Sequence, residues 1–367
     1  MRDIDQALAV SLPIPAAEKH MTSKRKFQGI PGIEVTPSGK LYATWYGGGP
    51  DEGPENYAVL AESVDNGASW KETYVIDPPG HVRAYDPTLW IDPKGRLCWF
   101  WAQCYSRQTT NIFDGRGGVW VCVADNPENP VWQTPRRIAN GVMMNKPIVL
   151  SNGEWAYPTA LWESQCGIEV LKEIENERSS GFTVSSDEGR TYAYRGGAQV
   201  PFVCYDEHMC VELKDGRIWM LVRAKYGIGQ SYSADMGRTW TPGMGAPLRG
   251  PCSRFFIRRL KSGRILMVNH DPDPMNPCCR NRLMAKLSED EGTTWIGGLM
   301  IDERPGVSYP DGTQAVDGSI WIIYDHERYR GGNIHLAHFS EEDVLAGKLQ
   351  SKGASLRGIV SRYPYPS

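Results

Sequence analysis

The sequence has no long hydrophobic run and no marked excess of charge of one sign. No window of the 367-residue chain approaches the roughly 18 consecutive apolar residues that a membrane helix needs. The formal net charge is −3, whereas a nucleic-acid-binding protein usually carries a strongly basic face. We therefore expect neither a membrane nor a nucleic-acid partner.

The N-terminus lacks the basic start and long apolar segment of a secretory signal. At face value this predicts a cytoplasmic protein, or a secreted or periplasmic one if a leader has been removed. Cysteine is sparse, with nine residues and no CxxC motif. We expect reduced thiols and no disulfide framework, no bound metal and no cofactor.

Glycine, proline and aromatic residues are abundant, with 39 Gly, 26 Pro, 13 Trp and 17 Tyr, which favours β structure with many turns. Six segments share one pattern, in which a short strand, a turn glycine and a strand of large apolar residues form a hairpin. The six turn glycines are Gly39, Gly95, Gly153, Gly216, Gly263 and Gly318.

A second pattern, S-x-D-x-G-x-x-(W/Y), follows four of the hairpins. It begins at Ser63, Ser185, Ser233 and Ser288, and residues 123–132 and 340–344 hold degenerate copies. The Asp of such a turn accepts backbone hydrogen bonds, and its Gly adopts a left-handed conformation, so we interpret the turn as structural.

Six such units predict an all-β protein, a six-bladed β-propeller. We place the propeller at residues 27–350. Residues 1–26 would form an N-terminal strap or outer strand, and residues 351–367 a closing segment.

The innermost strand of each blade begins about nine residues before its turn glycine. These six positions are Ile30, Asp86, Asn145-Lys146, Glu207, Arg254 and Tyr309, and all except Ile30 are polar or ionisable. Polar groups are costly to bury unpaired, so a convergent ring of them indicates a functional mouth at one end of the channel. The alternative is that these residues pair with one another and only fill the channel.

Neighbouring segments add further candidates at the same mouth. They are Arg83, which accompanies Asp86, and Arg223, His270, Arg282 and Arg328, which lie at strand ends. An acidic, glycine-rich loop at 47–56 is placed to cover a substrate. Arginines, carboxylates and aromatic faces together suit a sugar that bears a carboxylate.

The four S-x-D-x-G-x-x-(W/Y) turns, together with NKPIVLSNGEWAYP and LMIDERPGVSYPDGTQAVDGSIWIIYDHER, resemble the Asp-box or BNR-repeat branch of the sialidase (neuraminidase) superfamily, from about residue 27 to 347. The resemblance implies an exo-glycoside hydrolase acting on a glycan. Such an enzyme has a tyrosine nucleophile, a glutamate that accepts its proton, an aspartate acid/base and three arginines around the substrate carboxylate.

The resemblance assigns roles to individual residues. Tyr309 corresponds to the nucleophile and Glu207 to its partner, while Arg223 and Arg282 correspond to the second and third arginines. The neutral tyrosine avoids the repulsion that an anionic nucleophile would feel from an anionic sugar.

Two family positions differ or stay open. Gly29 stands where the family has its first arginine, and Arg25 and Arg254 are the candidate replacements. The acid/base falls in the loop after the first hairpin, where three carboxylates compete: Asp51, Glu52 and Glu55.

Two other functions remain open. One is a polysaccharide lyase or a non-sialidase glycosidase that acts on a uronic-acid or rhamnose-linked chain, with Tyr309 or His208 moving the proton. The other is a glycan-binding propeller without catalysis, in which binding survives mutation of both Tyr309 and Glu207. The partner is a carbohydrate in each case, and the sequence sets no oligomeric state.

Overall fold

The computed structural model describes residues 3–107, 110–162 and 171–363. Six antiparallel sheets form a β-propeller, as the sequence repeats predict. In every sheet the innermost strand comes before its hairpin partner along the chain, and the following strands lie progressively further out.

The first three blades are built as follows. The first contains β1 (Ile14–Pro15), β2 (Phe27–Val35), β3 (Leu41–Gly48), β4 (Tyr57–Ser63) and β5 (Lys71–Ile76). The second contains β6 (Val82–Ile91), β7 (Leu97–Arg107), β8 (Thr110–Asn111), β9 (Val119–Ala124) and β10 (Arg136–Ala139). The third contains β11 (Ile148–Val149), β12 (Trp155–Ala160), β13 (Ser180–Ser185) and β14 (Ala193–Ala198).

The last three blades have four strands each. The fourth contains β15 (Met209–Glu212), β16 (Ile218–Ala224), β17 (Gly227–Ser233) and β18 (Met244–Gly245). The fifth contains β19 (Phe256–Arg259), β20 (Ile265–His270), β21 (Leu283–Ser288) and β22 (Ile296–Asp302). The sixth contains β23 (Val307–Gln314), β24 (Ile320–His326), β25 (Asn333–Phe339) and β26 (Ser355–Arg362).

Helical structure is slight in the described residues. One α-helix, α1 (Glu341–Ala346), occupies the place of the sixth turn motif, and Ser340 caps it by accepting a hydrogen bond from the Asp343 backbone N–H. Four short 3-10 helices complete the set: Asp3–Leu8, Glu18–His20, Thr22–Lys24 and Lys172–Glu177. No helix in the described part of the chain is long and apolar enough to span a bilayer.

The N-terminal segment adds a strand to the first blade, and the C-terminal segment adds one to the last blade. Strand β1 pairs with β5 at the outer edge of the first sheet, and β26 is the outermost strand of the sixth. The propeller therefore includes residues 355–362, which the sequence analysis assigns to a closing segment.

Side chains close the ring between the first and sixth blades. Gln28 Nε2 donates hydrogen bonds to the Gly332 carbonyl (2.6 Å) and to Ser361 Oγ (3.1 Å). The Ile33 backbone N–H donates to Asp311 Oδ2 (2.9 Å). Because each sheet consists of consecutive strands, these contacts join the blades without a shared strand.

The four repeated turns share one hydrogen-bond pattern. In the first, Asp65 Oδ1 accepts from the Ser69 backbone N–H (2.9 Å) and from Ser63 Oγ (2.8 Å). Hydrogen bonds from the Ser69 side chain and backbone lower the pKa of Asp65 to about 2. The aromatic residue that ends each turn packs, partly buried, against the core.

A buried charge network fills the centre of the channel. Arg254 donates from Nε to Asn145 Oδ1 (2.7 Å) and pairs with Asp311 (3.4 Å). Lys146 pairs with both Asp311 and Glu34 at 3.3 Å. The network gives the mouth of the propeller a closed floor.

The eight cysteines in the described residues are free thiols. Cys166 lies outside the described residues.

Gly237 of the third S-x-D-x-G-x-x-(W/Y) turn and the hairpin turn glycine Gly216 offer a test of packing between blades. Gly237 and Gly216 both have φ of +85°, but a Cβ on Gly237 would lie 2.3 Å from the Phe182 ring, whereas no described atom lies within 4 Å of one on Gly216. We expect Gly237→Ala to lower the free energy of unfolding by about 1–3 kcal/mol more than Gly216→Ala, because only the former overpacks the core. Urea denaturation of both variants measures this, and equal losses would contradict it.

Candidate active site

Residues with strained backbone conformations lie within or just before several inner strands. Ile30, Asp86 and Tyr309 have φ of 57°, 48° and 55°, each precedes a proline, and the strand register shifts at each. Glu207 has φ of 43° just before β15. Such conformations cost about 1–3 kcal/mol each and persist where the surroundings hold them, typically at functional sites. All four residues line one cavity.

This cavity has a volume of about 410 Å³. That size is typical of a small-molecule site. It is lined by Ile30, Tyr46, Asp51, Glu52, Arg83, Tyr85, Asp86, Asn111, Phe113, Met144, Trp162, Tyr205, Glu207, Arg223, Arg280, Tyr309, Arg328 and Tyr329.

A buried triad of side chains lies at one side of the cavity. Tyr309 Oη donates to Glu207 Oε1 (2.9 Å), and Arg223 Nη1 donates to both Glu207 Oε1 (2.5 Å) and Tyr309 Oη (3.0 Å). Glu207 Oε2 is buried and has no hydrogen-bond partner among the described residues. The phenol is therefore bonded directly to a carboxylate that can take its proton.

The phenol stays protonated at neutral pH. Burial, followed by the negative charge of Glu207, raises the pKa of Tyr309 to about 12, and the nearby arginines oppose the shift. A proton acceptor is therefore required before Tyr309 can act as a nucleophile, and Glu207 is in place to be that acceptor.

Three guanidinium groups surround Tyr309. Besides Arg223, the Arg328 group lies 4.4 Å from the centre of the Tyr309 ring and the Arg280 group lies 5.5 Å from it. Arg280 Nη2 donates to the Cys252 carbonyl (2.9 Å). We call Arg223, Arg280 and Arg328 the arginine arc. Its positive charges favour an anion over a cation on this side of the cavity.

The position of the Arg328 side chain depends on the absence of a side chain at Gly29. A Cβ on Gly29 would lie 3.0 Å from Arg328 Cδ and 2.9 Å from Asp325 Oδ2. Arg25, a predicted replacement for an arginine at position 29, instead pairs with Glu72 (Nη1 to Oε1, 2.8 Å) away from the cavity. Arg328 therefore occupies the space next to strand position 29.

A second group of polar residues lies on another side of the cavity. Burial, with smaller contributions from Glu52 and Glu207, raises the pKa of Asp86 to about 8 although Arg83 opposes the shift. Asp86 is thus protonated at neutral pH and can donate a hydrogen bond. The Arg83 guanidinium lies 4.4 Å from the ring centre of Tyr85.

The three acids of the loop at 47–56 occupy different positions. Asp51 is exposed and lines the cavity. Glu52 also lines it and accepts a hydrogen bond from Tyr329 Oη (2.8 Å). Burial opposes ionisation of Glu52, but the charges of Arg328 and Arg83 hold its pKa below the usual value. Glu55 is exposed and lies outside the cavity.

Three other predicted substrate-binding residues also lie outside the cavity. Arg254 is buried in the charge network below it. Arg282 lies just before β21, has φ of 52° and pairs with Asp271 (2.7 Å). His270 is buried with Nδ1 on the Asn281 carbonyl (2.7 Å), and burial lowers its pKa to about 4. Their positions give no support to these predicted roles.

Sequence reasoning missed several residues that line the cavity. Arg280 lies two residues before Arg282 in the sequence RNR, which was the available signal. Trp162 and Tyr205 make an edge-to-face contact at 5.0 Å and supply an apolar wall. Trp162 lies two residues after the end of β12, and strand ends at this mouth were a predicted source of site residues.

Nothing in the described residues forms a metal site. No group of three or more His, Cys, Asp or Glu side chains among them is arranged to hold a metal ion.

The raised pKa of Asp86 predicts a pH-dependent stability. Between about pH 4 and 8 the folded protein holds a proton that the unfolded chain has released, so this residue makes the free energy of unfolding fall as pH rises. Asp86→Asn removes this titration. Between pH 5 and pH 8.5, we expect the free energy of unfolding of wild type to fall by at least about 1 kcal/mol more than that of Asp86→Asn, as measured by urea denaturation. A difference that does not change with pH would contradict the assignment.

Comparison with solved structures places the fold among sialidase propellers. A protein of unknown function from Dyadobacter fermentans is 16% identical with a TM-score of 0.63, and the match covers 90% of this chain and 97% of that one. The intramolecular trans-sialidase from Ruminococcus gnavus is 15% identical with a TM-score of 0.62, covering 93% and 99%. The Hadza microbial sialidase Hz136 is 18% identical with a TM-score of 0.66, covering 86% and 66%. At such low sequence identity, the structural likeness shows the fold alone.

No curated protein matches the chain. The family model described as a BNR repeat-like domain matches residues 39–322, which is most of the propeller. The repeats, the six blades and this match lead to one conclusion: the chain belongs to the BNR repeat-like domain family.

Proposed function

We propose that this protein is an exo-acting glycoside hydrolase that releases a terminal acidic sugar from a glycan. The observation that carries the proposal is the Tyr309 phenol, hydrogen-bonded to Glu207 and Arg223 within 3.0 Å and flanked by the guanidinium groups of Arg280 and Arg328. This arrangement combines a nucleophile, its base and an anion receptor.

The arginine arc supports one class of sugar acid over another. Its three groups cluster around the nucleophile itself, so the carboxylate they bind must lie next to the carbon under attack. In a 2-ulosonic acid, such as a sialic acid, the carboxylate is attached to the anomeric carbon. In a uronic acid it is attached to C5, which the ring oxygen separates from the anomeric carbon. The arc therefore favours a 2-ulosonic acid.

The residues support a retaining mechanism in two steps. Tyr309 Oη attacks the anomeric carbon and passes its proton to Glu207, while the bond to the leaving oxygen breaks and an acid protonates that oxygen. Water then cleaves the tyrosyl–sugar bond, the same acid now acting as base, and Glu207 returns the proton to Tyr309. The arginine arc holds the sugar carboxylate throughout.

We assign the acid/base role to Asp51. The leaving group of an exo-acting enzyme points to solvent, and Asp51 is an exposed carboxyl at the cavity. Glu52 is held ionised by neighbouring arginines, and Glu55 lies outside the cavity. Asp86 is buried, which suits a hydrogen-bond donor to the bound sugar better than a group that meets the leaving oxygen.

The lyase alternative receives less support. Of its two proposed proton carriers, Tyr309 lines the cavity, but His208 is buried with Nε2 on the Gly181 carbonyl (2.7 Å), and burial lowers the pKa of His208 to about 4. It does not line the cavity.

Release of 4-methylumbelliferone from its sialic acid glycoside tests the proposal, with uronide, rhamnoside and other 2-ulosonic acid glycosides in parallel. We expect hydrolysis of a 2-ulosonic acid glycoside, reduced at least about 100-fold by Tyr309→Phe and by Glu207→Gln, because the nucleophile or its base is lost. Tyr232→Phe, which removes a hydroxyl outside the cavity, is the matched control.

Undiminished turnover by Tyr309→Phe would refute the nucleophile assignment. An unsaturated product with ultraviolet absorbance would identify a lyase. Sugar binding that survives both substitutions, without turnover of any glycoside, would identify a binding protein.

Gly29→Ala tests how Arg328 is placed. The new Cβ would push against the Arg328 side chain and move its guanidinium group, so we expect KM to rise about tenfold with a smaller change in kcat. Gly245→Ala is the control, because its Cβ would meet only Tyr226 at 3.8 Å. An unchanged KM for Gly29→Ala would show that Arg328 does not bind the substrate through this packing.

A further inference from the structure

Cys252 contacts two members of the arginine arc. Its Sγ accepts a hydrogen bond from Arg223 Nε (3.3 Å), and its backbone carbonyl accepts one from Arg280 Nη2 (2.9 Å). Arg223 belongs to β16 of the fourth blade, and Arg280 precedes β21 of the fifth. Cys252 lies between β18 and β19, in the segment that joins these two blades. One residue thus connects two arginines that come from different sheets.

The thiol helps to determine which nitrogen of Arg223 is left for a ligand. Nε donates to Cys252 Sγ, and Nη1 donates to Glu207 and Tyr309. Nη2 has no protein acceptor among the described residues and is not one of the buried unpaired atoms there, and the side chain lines the cavity. Because the guanidinium group is planar and rigid, fixing Nε and Nη1 also fixes the direction of Nη2. Arg223 therefore has Nη2 available for an anion.

The segment around Cys252 is fixed to the body of the propeller. Ser253 Oγ lies 3.3 Å from Nε2 of His270, which is buried in the fifth blade. Arg254 donates from Nε to Asn145 Oδ1 (2.7 Å) in the charge network. The Cys252 sulfur is therefore an acceptor in a fixed position. Such support keeps a binding group in its productive geometry.

Loss of the sulfur would change the position of Arg223 for a physical reason. The Arg223 side chain is buried, so Nε–H without an acceptor would be an unsatisfied donor, which is costly. The side chain would turn towards another acceptor and carry Nη2 away from its present direction. Sulfur is a weak acceptor, so it orients Arg223 while competing little with an anion for the same charge.

We propose that Cys252 is a positioning residue for the anion receptor, and that its thiol holds Arg223 so that Nη2 faces the carboxylate of the sugar. This rests on the proposed function, in which the arginine arc binds that carboxylate. The hydrogen bond from Arg280 goes to the backbone carbonyl and does not depend on the side chain at position 252. Substitution of Cys252 therefore isolates the contribution of the thiol.

Calorimetric binding of two free sugar acids, each compared with its methyl ester, tests the role of the thiol. The acids are N-acetylneuraminic acid and 3-deoxyoctulosonic acid. Wild type should bind at least one acid about tenfold more tightly than its ester, because the ester carries no anion. Cys252→Ala should weaken binding of that acid at least about fivefold and change binding of the ester less than about twofold. Cys252→Ser, which keeps an acceptor, should restore most of the affinity. Cys278→Ala, at an exposed thiol, is the matched control and should change neither.

The ester separates a positioning role from a general role in packing. Equal losses for acid and ester in Cys252→Ala, or no loss for the acid, overturn the positioning role while leaving the proposed function intact. In an Arg223→Lys background, which lacks the guanidinium group, Cys252→Ala should have no further effect on the acid, and a further loss overturns the assignment to Arg223. A wild type that prefers neither acid to its ester overturns the arginine arc as the receptor, and with it both the proposed function and this inference.

Discussion

The buried charge network in the channel is the constraint on which the rest of the structure depends. Arg254, from the segment before the fifth blade, bonds to Asn145 before the third, to the Pro31 carbonyl in the first and to Asp311 in the sixth. One guanidinium thus ties together inner strands from around the ring. Removing it would take this donor from the buried Asn145 side chain and the Pro31 carbonyl and leave Asp311 with Lys146 as its one cation among the described residues, which is costlier than losing a surface ion pair.

The network also explains how strained residues persist above it. Inner strands held by Arg254 and Lys146 can keep Asp86 and Tyr309 in left-handed conformations that an isolated strand would relax. The strain directs these side chains into the cavity, where a regular strand would alternate them between faces. The rigid charge network therefore accounts for the strained residues that line the cavity.

The fold and half of the site could be predicted from the sequence because they are periodic. Turn glycines repeat, and counting back from them locates Asp86, Glu207 and Tyr309. Arg254 has the same spacing, but its guanidinium group is bonded to Asn145 and Asp311, and the spacing does not reveal these partners. Arg280 was missed in favour of Arg282, because the pairing of Arg282 with Asp271 is not visible in the spacing. Such choices depend on contacts between distant parts of the chain.

The electrostatics of the cavity give a consistent account of its chemistry. A phenol with a pKa near 12 carries no charge, so Tyr309 does not compete with an anion for the positive charge of the arginine arc. In the proposed mechanism, negative charge develops on Tyr309 only when its proton moves to Glu207, and Arg223 already bonds to that oxygen. A group proposed to bind the anion would then also stabilise the forming nucleophile, since charge develops where a donor is already fixed.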